Sequence, residues 1–443
     1  MRLQADHLAA RLAKRCTEDW QRSLPGTVQT ELRSIVRTAF IDTLACILAG
    51  RAEPVTARVN AWAGRPSMEY PARAGETGPA LAALLNATCG HALDFDDVGL
   101  AGHPSVVLIP VLLAEHEAHG THGFDLVQAY AKGYAVWAEL ARRMKVHLHG
   151  RGWHPSAVFG TVAAAAAAAA ARRLPAEQTA HALGIAASSA AGLIANFGSM
   201  TKPLQVGRAA RAGIEAADLA AAGIDASPDA LDGPTGLLAA LAGPENADRN
   251  PVLVEKFEDA LRGQRPGIKK YPICYAAHRI VDGVLDLRAA QGLQPGDIER
   301  IDATLSKTAA SVLRHHQPHT LSEARFSLEF AVAVALVHGA VGTPQVQLAN
   351  LGDPDVMGLM GRVHTGTVDT RCPLEPSFAL EDRVWITTRD GRVLDSGPIR
   401  FARGHAMLPL AEADLIEKLV ACADGDRLLA EAALARIDSA LRG

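Results

Sequence analysis

Nine consecutive alanines, Ala163–Ala171, close an apolar stretch that opens at Val158. Its fourteen residues are too few to cross a bilayer, which takes about 20, and Arg172 and Arg173 stop it. Alanine also dominates much of the first half of the chain, and side chains that small let helices approach closely. With 49% hydrophobic residues and only 5% aromatic ones, the 443-residue chain has the material for a large, alanine-packed helical core. That length implies two or three domains.

Residues 1–262 read as helices. Ala9, Leu12, Ala13 and Cys16 share one helical face, as do Leu32, Ile35, Val36, Ala39 and Phe40, with 41–49 continuing the second as a buried element. Further helices are expected over 105–116, 124–146, 156–173, 175–191 and 209–222. Ser227–Pro228–Asp229 looks like the capped start of a short one. The texture changes at Gly263–Gly267, a boundary signal. Beyond it a helix is expected over 276–290, a strand over 298–305 and an apolar helix over 326–337. Asp390–Gly391 between two alternating runs is the strongest hairpin signal in the chain. Helix returns over 410–421. The fold class is therefore mainly α with a smaller α+β part. One domain spans 1–262, with 402–443 rejoining it, and the other spans 263–401.

Four segments carry candidate chemistry. The first, His91–Ser105, reads HALDFDDVGLAGHPS and crowds Asp94, Asp96, Asp97, His91 and His103 together. Charged groups that close perturb each other's proton affinity, as happens where proton chemistry is done. The plainer alternative is an acidic turn in which Asp97 caps a helix. The second is Gly152–Ser156, GWHPS, which places His154 ahead of a helix N-terminus, where partial positive charge disfavours the imidazolium. The third is Asn196–Ala210, NFGSMTKPLQVGRAA, read as a loop bracketed by Gly198 and Gly207 that holds Lys202, with Arg208 just past it. A partly buried ammonium needs an anion, either a substrate carboxylate or one of the aspartates. The fourth is Lys269–His278, KKYPICYAAH, next to the domain boundary, where ligand sites are common.

Several classes are excluded. A net charge of −4 with no basic, aromatic-interleaved stripe argues against nucleic acid. The six cysteines are scattered without C-x-x-C, which argues against a zinc site, a disulfide framework or an iron–sulfur cluster. No glycine pattern makes a nucleotide fingerprint. Early charge at Arg2, Asp6, Arg11, Lys14 and Arg15 does not suit a signal peptide, so the cytoplasm is the expected location and no membrane partner is expected.

Together the four segments resemble the MmgE/PrpD family. ARFSLEF (Ala324–Phe330), the Asp-Gly hairpin and PLAEADLIEK (Pro409–Lys418) extend the resemblance over nearly the whole chain. The resemblance implies a large all-helical domain with an inserted α+β lid, homodimers, and small di- or tricarboxylic acid substrates. It implies no organic cofactor and no metal. It carries catalytic roles onto Asp94, His103, His154 and Lys202. Substrate-binding roles fall on Lys269 or Lys270, Arg208 and Gln205. Three positions depart from the family's usual pattern: Val98 for threonine, Gln205 for histidine and Glu329 for proline. The shared chemistry is removal of a proton next to a carboxylate. The first reading is a hydro-lyase of the 2-methylcitrate dehydratase kind. The alternatives are an epimerase or decarboxylase of the iminodisuccinate or cis-aconitate type, and a carboxylate-binding member without turnover.

Overall fold

In a computed structural model the alanine run becomes the buried helix Pro155–Ala171. The structure describes residues 7–65, 71–253 and 256–442, so Arg2 and Asp6 lie outside the described residues. A helix that is apolar on every side belongs inside a core. This one packs against Ser105–His119, Phe124–Arg142, Ala176–Ser189 and Thr201–Ala221. Its small side chains decide the spacing. A Cβ on Gly213 of the last of these helices would stand 2.2 Å from the Ala164 Cβ, so only glycine permits that approach.

Backbone contacts divide the chain into two units. The first comprises residues 1–92, 96–266 and 415–443 and is helical throughout its described elements. Leu8–Cys16 buries the face Ala9, Leu12, Ala13 and Cys16. Gly26–Gly50 is one continuous helix that absorbs the element expected over 41–49. The C-terminal helix Arg427–Leu441 lies on Gly26–Gly50, and Lys418 joins Asp42 through a buried ion pair of 2.6 Å. No described helix is long and apolar enough to cross a membrane. All six cysteines are buried and reduced.

The second unit comprises residues 93–95 and 267–414. It carries a four-stranded sheet in the order β2-β1-β3-β4: β1 Ile298–Ser306, β2 Val363–Val368, β3 Arg383–Thr388 and β4 Val393–Asp395. The Asp390–Gly391 turn joins β3 to β4, with Gly391 at φ 87°, and β1 pairs antiparallel to β3 with Ile301 opposite Ile386. The apolar faces of β1 and β3 share a core with the helices His278–Gln291 and Leu328–His338. The chain is thus mainly α, with a small α+β part.

Two expectations need correction, and one strand was not expected. Helix over 209–222 begins at Thr201, so the segment read as a loop is the helix's first two turns. Pro203 does not prevent this, because first-turn N–H groups have no intrahelical partner to lose. Ser227–Asp229 starts no helix; it folds as a turn in which Gly233 N–H bonds Asp229 O at 2.7 Å. Strand β2 (VHTGTV) escaped notice because four of its six residues are exposed, so it lacks an alternating apolar signal.

Candidate active site

A backbone bridge and a backbone-to-hydroxyl hydrogen bond bring the first three motifs together. Trp153 and Leu193 form a β-bridge; His154 N–H bonds Gly192 O at 2.9 Å and Ile194 N–H bonds Gly152 O at 3.0 Å. This sets His154 at the N-cap of Pro155–Ala171 and leads the chain from Leu193 into the helix that carries Lys202 and Gln205. Gly99 and Gly102 exchange two backbone hydrogen bonds, which closes the acidic segment into a tight turn. A Cβ on Gly102 would lie 2.8 Å from Trp137 and 2.9 Å from Ser156 Oγ. The glycine lets His103 N–H reach that same hydroxyl at 3.0 Å.

Three imidazoles gather here. The ring centroids of His91 and His103 are 4.7 Å apart, and those of His91 and His154 are 5.9 Å apart in a stacked arrangement. His91 Nδ1 lies 2.9 and 3.0 Å from the two Asp96 oxygens, so Nδ1–H donates to the carboxylate. His103 Nδ1 lies 2.8 Å from the Asp97 carbonyl and 3.2 Å from Asp96 Oδ2. A carbonyl only accepts, so this nitrogen also carries the proton. His154 Nδ1 lies 2.8 Å from Gln205 Oε1. On each ring Nε2 therefore holds the lone pair while the ring is neutral. Among the described residues, Nε2 of His91 and of His154 is buried and makes no hydrogen bond.

Burial is the main influence on proton affinity. It lowers His91 to about 4, against the pull of Asp96, and lowers His154 to about 2 with help from His91 and Lys202. Burial thus acts on His154 in the same direction as the helix N-terminus it caps. Burial would push Asp96 up, but the imidazoles of His91 and His103 hold it well below the usual carboxylate range. Asp97 goes the other way, raised by burial and by Asp42. Its Oδ1 accepts Ser105 N–H at 3.1 Å at the start of Ser105–His119, and its Oδ2 meets Ser105 Oγ, which in turn meets Tyr130 OH at 2.6 Å. Asp97 thus takes up one N–H at the start of this helix, as the plainer reading expected, but from a fully buried position, with Pro104 as the N-cap.

Lys202 is buried in the first turn of Thr201–Ala221, its Nζ 5.2 Å from the centre of the Phe197 ring. Phe197 also meets His154 edge-on at 4.8 Å. Gln205 lies one turn on, and both ends of its amide are engaged, Oε1 by His154 and Nε2 by Leu193 O at 3.1 Å. Arg208 is exposed on the same helix and makes no part of this cluster.

Within the second unit the tandem lysines separate cleanly. Lys269 is buried and donates to Asp94 Oδ2 at 2.9 Å and to the Asp94 carbonyl, whereas Lys270 is a third exposed and faces Asp414 at 3.6 Å. Asp94 itself has φ 53°, a left-handed conformation that aspartate tolerates better than most residues. Glu329 does not face solvent: it is buried, and His316 Nδ1 lies 2.7 Å from its carboxylate.

Sequence reasoning singled out the His91–Asp96 neighbourhood but passed over these two as site residues. Their signal was the spacing H-x-x-x-x-D, which carries no obvious period in a loop. The cluster thus sets three imidazoles side by side, with Lys202 against Phe197 at the edge of His154.

Comparison with known proteins agrees with the motif reading. The sequence matches the MmgE/PrpD N-terminal domain over residues 22–250 and the MmgE/PrpD C-terminal domain over residues 271–441. A cis-aconitate decarboxylase of Homo sapiens is 30% identical over 370 residues, covering 80% of this chain and 73% of that protein. One of Mus musculus is 31% identical over 371 residues, covering 80% and 72%. One of Aspergillus terreus is 26% identical over 287 residues, covering 59% and 57%.

Proposed function

The chain belongs to the MmgE/PrpD family, and from that membership we propose that it is a lyase that moves a proton at a carbon next to a carboxylate of a small di- or tricarboxylic acid. The observation that carries this is His103. Its Nδ1–H is committed to the Asp97 carbonyl, so Nε2 is its basic atom, and its side chain is the one of the three imidazoles that keeps measurable exposure, at 15%. In dehydration, His103 Nε2 takes the proton from the carbon next to the carboxylate. Charge moves onto the carboxylate oxygens, beside the Lys202 ammonium. The hydroxyl on the neighbouring carbon then leaves with a proton as water.

A second reading is decarboxylation, favoured by the names of the relatives. There a carboxylate leaves as carbon dioxide, and the electron pair left on carbon takes a proton from a protonated His103. Epimerisation needs only return of the proton to the opposite face.

One experiment separates these outcomes. The protein is incubated in heavy water with 2-methylcitrate, citrate, cis-aconitate and iminodisuccinate in turn, and carbon and proton NMR follow the products. Deuterium at the carbon next to a carboxylate, with loss of water or carbon dioxide, supports the lyase. Deuterium without net product indicates epimerisation. Binding with neither exchange nor product on any of the four would leave only a carboxylate-binding protein.

A further inference from the structure

We propose that Gln205 is a positioning residue: its amide locks His154 as the Nδ1–H tautomer, so His154 serves as a fixed hydrogen-bond acceptor and proton transfer is left to His103. The proposal rests on the reading of His103 given above.

The argument runs outward from a backbone carbonyl. Leu193 O can only accept, so the Gln205 end that meets it at 3.1 Å is the NH2 group. That turns Oε1 toward His154 Nδ1 at 2.8 Å, and Oε1 also only accepts. The proton must therefore sit on Nδ1, and Nε2 must be bare. Leu193 is itself pinned by its bridge to Trp153, next to His154 in the chain, so the relay closes on itself. Among the described residues no donor meets this Nε2, which leaves its lone pair available as an acceptor.

The neutral amide matters as much as its orientation. His91, stacked on His154, hangs from a carboxylate, Asp96. A second carboxylate at position 205 would invite a proton onto His154, and the imidazolium would then face His91, His103 and Lys202. Phe197, which meets His154 edge-on, offers no charge to offset them. An amide orients the ring without charging it. A histidine at 205, common in the family, could itself take up a proton. Glutamine cannot, so this chain has one proton carrier fewer at the site.

Nitrogen-15 NMR of the histidine-labelled protein tests this directly and needs no substrate. In the wild type, His154 should show a protonated Nδ1 and a bare Nε2, unchanged from about pH 5 to 8. Gln205→Glu should keep that tautomer but make His154 take up a proton within the same range, because a carboxylate now faces it. Gln205→Leu should leave a mixture of tautomers, since nothing accepts from Nδ1. Wild-type His154 carrying its proton on Nε2, or titrating like an ordinary histidine near pH 6.5, overturns the proposal whatever the variants do. So does a Gln205→Glu protein, folded by circular dichroism, whose His154 still fails to titrate. None of these outcomes depends on whether His103 is the proton carrier; the heavy-water reactions with His103→Asn decide that separately.

Discussion

Lys269 donates twice to Asp94, at 2.9 Å to the carboxylate and again to its backbone carbonyl, while Lys270, its neighbour in the chain, reaches only the surface group Asp414 at 3.6 Å. Adjacent lysines thus meet different dielectric surroundings. Removing one partner of a buried pair strands the other charge, at about 3–5 kcal/mol. An exposed pair contributes about 0–1 kcal/mol. Lys269→Met should therefore lower stability by several kcal/mol in urea denaturation, and Lys270→Met should barely move it. Equal losses would mean that the register of the two lysines is wrong.

His103→Asn should reduce turnover by roughly 10²–10⁴ with little change in KM, the usual effect of deleting a general base. Lys202→Ala should act mainly on binding, since a charge-assisted contact is worth about 1.5–3 kcal/mol. Steady-state kinetics on whichever acid the NMR panel identifies distinguishes them. A His103→Asn enzyme with full kcat would remove His103 from the mechanism.

Asp96 and Asp97 are adjacent, yet their proton affinities are pushed in opposite directions, Asp96 down by the imidazoles of His91 and His103 and Asp97 up by burial and Asp42. Burial disfavours the charge on Asp97, so Asp97→Asn, which puts a neutral amide against Ser105, should change stability less than Asp96→Asn does, by about 1 kcal/mol. Asp96→Asn removes the charge that two imidazoles face and should cost about 2 kcal/mol or more, because hydrogen bonds to charged groups are the stronger ones. Comparable thermal shifts for the two variants would contradict this assignment.

Acid should destabilise the fold in a defined window. His91 and His154 are depressed in the folded state to about 4 and about 2, whereas an unfolded histidine titrates near 6.5. Between pH 6.5 and 4 the unfolded chain binds the extra protons, so the contribution of both groups is complete above 6.5 and falls as pH falls. Each group supplies a slope of at most about 1.4 kcal/mol per pH unit. Urea titrations at pH 7, 6 and 5 should show declining stability, and His154→Asn should show a shallower decline. A wild-type stability that stays flat from pH 7 to 5 would mean that these rings are not buried as neutral groups.

Local pattern alone determined much of this protein. The alanine run, the apolar faces of Leu8–Cys16 and Gly26–Gly50, and the Asp390–Gly391 turn each declare an element within a few residues, because side-chain period and turn chemistry act over that range. The four ordered motifs were enough to indicate the family. What the sequence could not contain was which polar residues meet. His91, Asp96, His103, His154 and Gln205 come from three segments, joined by a bridge at Trp153–Leu193 and by helices whose small residues set their spacing. Lys202 looked like a loop residue because Gly198 and Gly207 bracket it; the helix nonetheless starts at Thr201 and packs against the alanine helix, where close approach favours small residues, and Pro203 falls where a helix can spare an N–H. Tertiary burial likewise decided that Lys269 rather than Lys270 is enclosed and that Asp97 rather than Asp96 favours a proton. Desolvation is a property of the surroundings in three dimensions, and neighbours along the chain need not share it.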